Sequence, residues 1–465
     1  MTLIIETPES MTKERNYILQ TLLGEFLGLE WVHHPTSRQD IKITQSGNVA
    51  ASISLPDVLF STSENKWLDS ASLPISSSPL WDTDDLGLDI LLVKSVVPVI
   101  YGDQEPVSRN NGRNMYLPVD IFGSAFFMLT RYEELIVTDQ DDHDRFPATA
   151  SSAYQNNYLD RPIVDEYVEI LWACISELWP DIIRKRRVPK KLISCDLDRP
   201  FDCSVATIKG VSRRLAKDIV RDKSPRQALD TILTSYHRWR HDYSSDEYLQ
   251  AVDWIMDANE KVGNKVAFYF ITKHSHHGYD GCYSMTQSVI RGLMRRIVNR
   301  GHEVGLHASY NSYRNLDQIN CELGELKQAL ANESIAVDEI GSRQHYLRWS
   351  TAITPRYLDA AGVSYDSSLA YADRPGFRCG TCHSFRMYDL KSRKTLTLRE
   401  KPLILMECSV LGEQYMGLGY SDDALQLMKS YRDVCEQFGG DFTLLWHNSH
   451  FESAKDREFY LQLIS

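Results

Sequence analysis

The residues best able to do chemistry stand at the ends of short apolar runs. Lys190-Lys-Leu-Ile-Ser-Cys-Asp-Leu-Asp-Arg-Pro200 carries a run of strand length into two carboxylates, Asp196 and Asp198, and is stopped by Pro200. Side chains two apart on a strand share a face. The two like charges would therefore sit side by side, which a fold tolerates when a cation or a proton lies between them. An Asp-x-Asp taken alone is more often a solvated turn, so the reading needs partners elsewhere. Three further runs supply them: 303 to 306 leads to His307, 339 to 342 leads to Arg343 and His345, and 442 to 446 leads to His447. Brought to one sheet edge, these groups would form a single pocket of metal ligands and proton carriers.

The elements that must position them alternate from Leu192 onward. Strands are expected at 192–195, 266–271, 303–306, 339–342, 403–406 and 442–446. Helices are expected between them at 245–261, 285–299, 316–330, 354–361 and 421–438. Continuous apolar strands are how a parallel sheet buried on both faces reads, and the alternation gives a doubly wound sheet or a β/α barrel. In both, function collects at the carboxyl ends of the strands. Ahead of this half, a strand at 3–5, helices at 12–27 and 120–136, and short strands at 41–44, 51–55 and 89–93 predict a smaller α/β domain over residues 1–140. Residues 141–189 are expected to hold the rest of a polar loop and a linking helix, 163–179, and 190–465 a second domain.

At 465 residues the chain has room for two domains, and a net charge of −12 without a Lys/Arg stripe excludes a protein that tracks nucleic-acid phosphates. Nine cysteines without framework spacing predict reduced thiols and, with no signal peptide expected, a cytoplasmic protein. No apolar run approaches the length of a membrane span. The acidic stretch Asp139 to Asp144 reads as a solvated turn on a loop long enough to reach the second half. Cys379-Gly-Thr-Cys382-His383 spells the c-type haem attachment pattern. That chemistry requires export, and structural thiols are the preferred reading.

Over residues 190 to 450 the chain resembles the polysaccharide deacetylases of the NodB-like type, metal-dependent enzymes on a deformed β/α barrel. Asp196 and Asp198 match the paired-Asp motif, which implies that Asp196 is the general base and Asp198 a metal ligand. Gly301-His302-Glu303-Val-Gly-Leu-His307 matches the second motif, with His302 structural and His307 a ligand. The family's second ligand histidine, four residues on, is here Asn311, whose amide oxygen is a poor zinc ligand. Arg343 fits the arginine that pairs with the base. His345 shares its face: either His345 completes the ligand set, or Asn311 binds the metal weakly through its oxygen while His345 hydrogen-bonds in the pocket wall, or the site is empty. His447 fits the histidine that protonates the leaving amine.

The resemblance thus implies a divalent metal, zinc by preference, that polarises an acetamide and lowers the pKa of its water toward about 7. Asp196, kept ionised and aimed by Arg343, would take the proton, and His447 would give one to the nitrogen. The substrate would be an N-acetylated carbohydrate, a bacterial polysaccharide or its precursor. Trp349, Tyr371 and Phe377 are candidates for stacking on sugar rings. The alternative is a barrel impaired by Asn311 that only binds a glycan or a partner.

Overall fold

The computed structural model describes residues 1–103, 105–110, 113–203, 208–221, 223–240, 242–451 and 453–465. Strand β1 (Thr2–Pro8) alternates half-buried and buried residues, the pattern of a strand with one face on a core. It pairs in parallel with β2 (Glu30–Thr36) and antiparallel with β3 (Asp40–Gln45), which continues to β4 (Asn48–Pro56). A two-stranded ribbon follows, β5 (Leu80–Asp82) with β6 (Val96–Pro98). Then β7 (Ser108–Asn110) and β8 (Asn114–Tyr116) complete a six-stranded sheet of order β2-β1-β3-β4-β8-β7.

The second half builds a larger sheet from β9 (Lys190–Leu197), β10 (Val266–Phe270), β11 (Glu303–Ala308), β12 (Gly341–Gln344), β13 (Tyr365–Asp366), β14 (Phe385–Asp389), β15 (Lys394–Glu400), β16 (Leu405–Met406) and β17 (Asp441–Leu445). Its order is β14-β15-β13-β12-β11-β10-β9-β17-β16. Every pairing is parallel except β14 with β15. Among the described residues no pairing joins β14 to β16, so the protein is a mixed α/β structure whose nine-stranded sheet curls as a half-barrel. Helices Glu247–Lys261, Ser288–Asn299, Leu316–Asn332, Thr354–Ala361 and Asp422–Gln437 form the crossovers. Their buried stripes, such as Ile290, Leu293, Met294 and Ile297, pack them against it.

One face of this sheet positions the chemistry. Asp196 and Asp198, Tyr269, His307, and Arg343 with His345 alternate along their strands so that they fall on it together. The ring of Tyr269 lies so close over Gly305, and that of Tyr365 over Gly341, that a Cβ on either glycine would overlap them. The glycines are what let these tyrosines occupy the inner face.

The two halves share one contiguous apolar core, in which Tyr17 and Phe126 of the first pack on Tyr388 of the second. Several elements differ from expectation. The helix from Asp120 ends at Leu129, because Arg131 adopts a left-handed conformation (φ 54°) that turns its guanidinium onto Glu133, Glu134 and the Arg378 carbonyl. Residues 89–93 are not a strand; there the Val93 N–H donates to Glu166. The thiols are not all free: Cys203 and Cys282 form a disulfide that bridges the loops after β9 and β10, with the other seven cysteines unpaired. A sequence separation of 79 residues gave no local sign of it. Among the described residues, no helix is long and apolar enough to cross a membrane.

Candidate active site

At the carboxyl ends of the parallel strands lies a cavity of about 740 Å3 that holds Asp196, Asp198, His307, His345 and His447 in its lining. Its centre is Asp198. The His307 Nε2 is 3.0 Å from Asp198 Oδ1, the His345 Nε2 is 3.4 Å from the same oxygen, and the His447 Nε2 is 3.8 Å from Oδ2. One ligand atom from each of Asp198, His307 and His345 can be chosen so that all lie within 4.8 Å of one another.

Each imidazole is oriented from behind. His307 Nδ1 is 2.9 Å from the Arg343 carbonyl, which can only accept, so Nδ1 carries the proton. His345 Nδ1 in the same way donates to Asp280 Oδ1 at 2.9 Å. Asp280 is itself held by the N–H groups of Ser275 and His276, each at 2.7 Å, and of Tyr310 at 2.8 Å. Both Nε2 lone pairs therefore face a carboxylate oxygen, an arrangement that needs a cation, a proton or a metal, between them. Asp198 Oδ1 and Asp196 Oδ1 are buried without a hydrogen-bond partner. A carboxylate and two oriented imidazoles fit zinc, with backing groups of the kind that orient its ligands. Burial works to raise the Asp198 carboxyl, but His345 and His307 outweigh it and hold it well below the usual range. Burial opposes charge on His345, yet Asp198 and Asp280 raise it to about 9.

Asp196 lies beside this group, 3.6 Å from His307 Nε2 and 3.9 Å from the Arg343 guanidinium. Across the cavity His447 donates its Nδ1–H to Glu407 Oε1 at 2.6 Å, an oxygen that also accepts from His450 Nδ1 at 2.9 Å. Burial disfavours the charged His447, but Glu407 reverses the balance and raises it well above its ordinary value. Immediately after His345 the backbone of Tyr346 and Leu347 is left-handed (φ 62° and 56°), a conformation side chains rarely adopt and one found at functional sites.

Asn311 is not brought to Asp198. Its Nδ2 donates to the Ser275 carbonyl at 3.1 Å and its Oδ1 accepts from Arg348 at 3.1 Å. Trp349, Tyr371 and Phe377 are buried and do not line the cavity. Tyr371 instead receives a hydrogen bond from Arg131, and Phe377 packs on Tyr431. The aromatic wall is made by Tyr279, Tyr346 and Tyr415.

The loop with the acidic stretch reaches the site. Arg145 lines the cavity, bound to Asp141 at 2.7 Å and to the Tyr346 carbonyl at 3.1 Å, while Asp144 pairs with Arg348 at 2.5 Å. The Cys-x-x-Cys-His segment is buried elsewhere, with Asp165 accepting from the Thr381 hydroxyl, the Cys382 N–H and the Cys382 thiol. Sequence reasoning missed Asp280 and Glu407. Glu407 directly follows β16 and was accessible to the strand-end rule. Asp280 sits in a loop with no periodicity to single it out.

A family model described as a family of unknown function (DUF7033) matches residues 3–180. No curated protein matches the chain. Among solved structures, one described as a "putative polysaccharide deacetylase from Mycobacterium smegmatis" is similar at 17% identity and a TM-score of 0.37, covering 62% of this chain and 86% of that one. Puue allantoinase is similar at 15% identity and a TM-score of 0.31, covering 46% of this chain and 65% of that one.

Proposed function

We propose that the protein is a metal-dependent hydrolase that removes N-acetyl groups from a carbohydrate, a polysaccharide or its precursor. The observation that carries this reading is the convergence of Asp198, His307 and His345 within 4.8 Å, beside a second carboxylate and opposite a histidine. The motif resemblance, with its elements in matching order, supports it. Asp198, His307 and His345 would hold a divalent metal, zinc by preference, which when bound supplies Lewis acidity to the amide carbonyl and acidifies water. Asp196, with Arg343 on its flank, accepts the proton of the attacking water. His447 donates a proton to the departing nitrogen, and Glu407 keeps it charged and pointed at the cavity. Tyr279, Tyr346 and Tyr415 offer ring faces to a pyranose, and Arg145 a donor at the rim.

The test is metal analysis of the purified protein together with acetate release from N-acetylhexosamine oligomers. Asp196→Asn keeps the shape and removes the base, so the metal should stay while turnover falls about 10^2- to 10^4-fold. Loss of the metal in that variant would exchange the roles of the two carboxylates. A protein that binds oligomers yet takes up no metal would be a glycan-binding protein instead.

A further inference from the structure

A second cavity, of about 550 Å3, opens at the other end of the same sheet, against the amino-terminal ends of the parallel strands. It uses the inner face that carries the active site: Ser194, Glu303, Arg343 and Thr443 line it, and Asp196, His307, His345 and His447 follow them on the same strands. Its lining carries five cations, Lys190, Lys191, Lys265, Lys401 and Arg343, against two carboxylates, Glu303 and Glu436, in a chain whose net charge is −12.

Arg343 is the informative member. It is fully buried. Its Nη2 donates to Ser194 Oγ at 3.0 Å and Ser367 Oγ at 3.2 Å, while Nε and Nη1 have no hydrogen-bond acceptor. The nearest charge to Nη1 is Asp196 at 3.9 Å, beyond hydrogen-bond reach. A buried guanidinium with open donors is costly unless something accepts from it. The lining carboxylates are otherwise engaged, Glu303 by the Tyr365 hydroxyl at 2.7 Å and Glu436 by Lys191 at 3.6 Å. Lys401 sits with its Nζ 3.2 Å from the centre of the Tyr365 ring, a cation held over an aromatic face at the cavity wall. Glu339 and Asp441 also act on Lys401 from outside the lining.

We propose that this cavity binds a small oxyanion, a carboxylate or phosphate group, with Arg343 as its buried donor and Lys401 and Lys190 as its charged wall. With both Nη2 hydrogens taken by Ser194 and Ser367, Nε or Nη1 would give such a group a single charge-assisted hydrogen bond, and the lysines supply point charges around it. The inference does not depend on the reaction assigned to the upper cavity.

The experiment is calorimetric titration of the full chain, stripped of metal by a chelator, with inorganic phosphate and separately with sodium acetate at constant ionic strength. The expected result is one site for at least one of the two anions, and the anion that binds identifies the group. Affinity should weaken about tenfold or more in Lys401→Gln, the loss of one charge-assisted contact, and stay unchanged in His345→Ala. If Lys401→Gln does not fold, Lys190→Gln at the exposed mouth should weaken binding in the same direction. The reverse pattern, binding lost in His345→Ala and unaffected by the lysine variants, would put the anion in the upper cavity and overturn the proposal. So would the absence of binding by either anion to the folded protein.

Discussion

Two clusters of buried charge contrast with each other, one closed and one open. In the closed one, Arg378 grips Glu134 through Nε and Nη2, both at 2.9 Å, and so ties the first half of the chain to the second. Arg131 adds a bond to Glu134 at 2.9 Å and one to Glu133 at 2.8 Å, and the Thr351 hydroxyl adds another to Glu134 at 2.9 Å. None of these charged groups has an orphaned atom, whereas Asp196, Asp198, Glu407 and Arg343 all do. Buried polar groups are nearly always satisfied, so a cluster that leaves several open is shaped for something not made of protein. The closed network serves cohesion, and the open one leaves buried donors and acceptors that no protein group satisfies.

The contrast breaks first if the open cluster proves to be structural. Asp198→Ala and His345→Ala should each lose the bound metal, because two remaining ligands fall below the three a catalytic zinc keeps, while both metal-free variants stay folded. Full metal content in both variants would place the metal elsewhere.

The closed cluster should respond the opposite way. Glu134→Gln should lower the unfolding free energy by about 3–5 kcal/mol, since it leaves a buried guanidinium unpaired, and should leave metal stoichiometry untouched. Burial works to raise the Glu134 carboxyl, but Arg378 and Arg131 outweigh it and lower it from 4.5 to about 2. Its folded value is depressed, so its contribution is present above pH about 4.5 and is lost as the pH falls toward about 2. Denaturant midpoints measured across that window should fall more steeply for the native protein than for Glu134→Gln.

Asp280→Asn sharpens the comparison at the second rank of the open cluster. By loosening His345 it should weaken metal affinity about 10- to 100-fold, read by competition with a chelating dye. Unchanged affinity would reduce Asp280 to a loop-building residue. The smallest effect is expected for Asn311→His. Position 311 is held by Ser275 and faces Arg348, so metal affinity should not change. A tighter site would mean that position 311, and not His345, completes the ligand set.

What the sequence alone determined follows from local backbone geometry. A strand repeats every two residues, so Asp196 shares a face with Asp198 and Arg343 with His345 wherever the strand lies, and a parallel sheet collects strand ends at one edge. The crossover helices and most strands of the second half were legible for the same reason. Tertiary structure alone decided the rest. Asn311 and His345 both follow candidate strands, but only packing turns Asn311 onto Ser275 and Arg348 and leaves His345 between Asp198 and Asp280. Trp349, Tyr371 and Phe377 read as loop aromatics, yet they are buried in the core, and Tyr279, Tyr346 and Tyr415 face the cavity in their stead. The pairing of β17 with β9, the bridge from Cys203 to Cys282 and the joining of Glu134 to Arg378 depend on which distant segments meet. That is settled by the burial of apolar surface across the whole chain, which leaves no periodic mark in any one stretch of it.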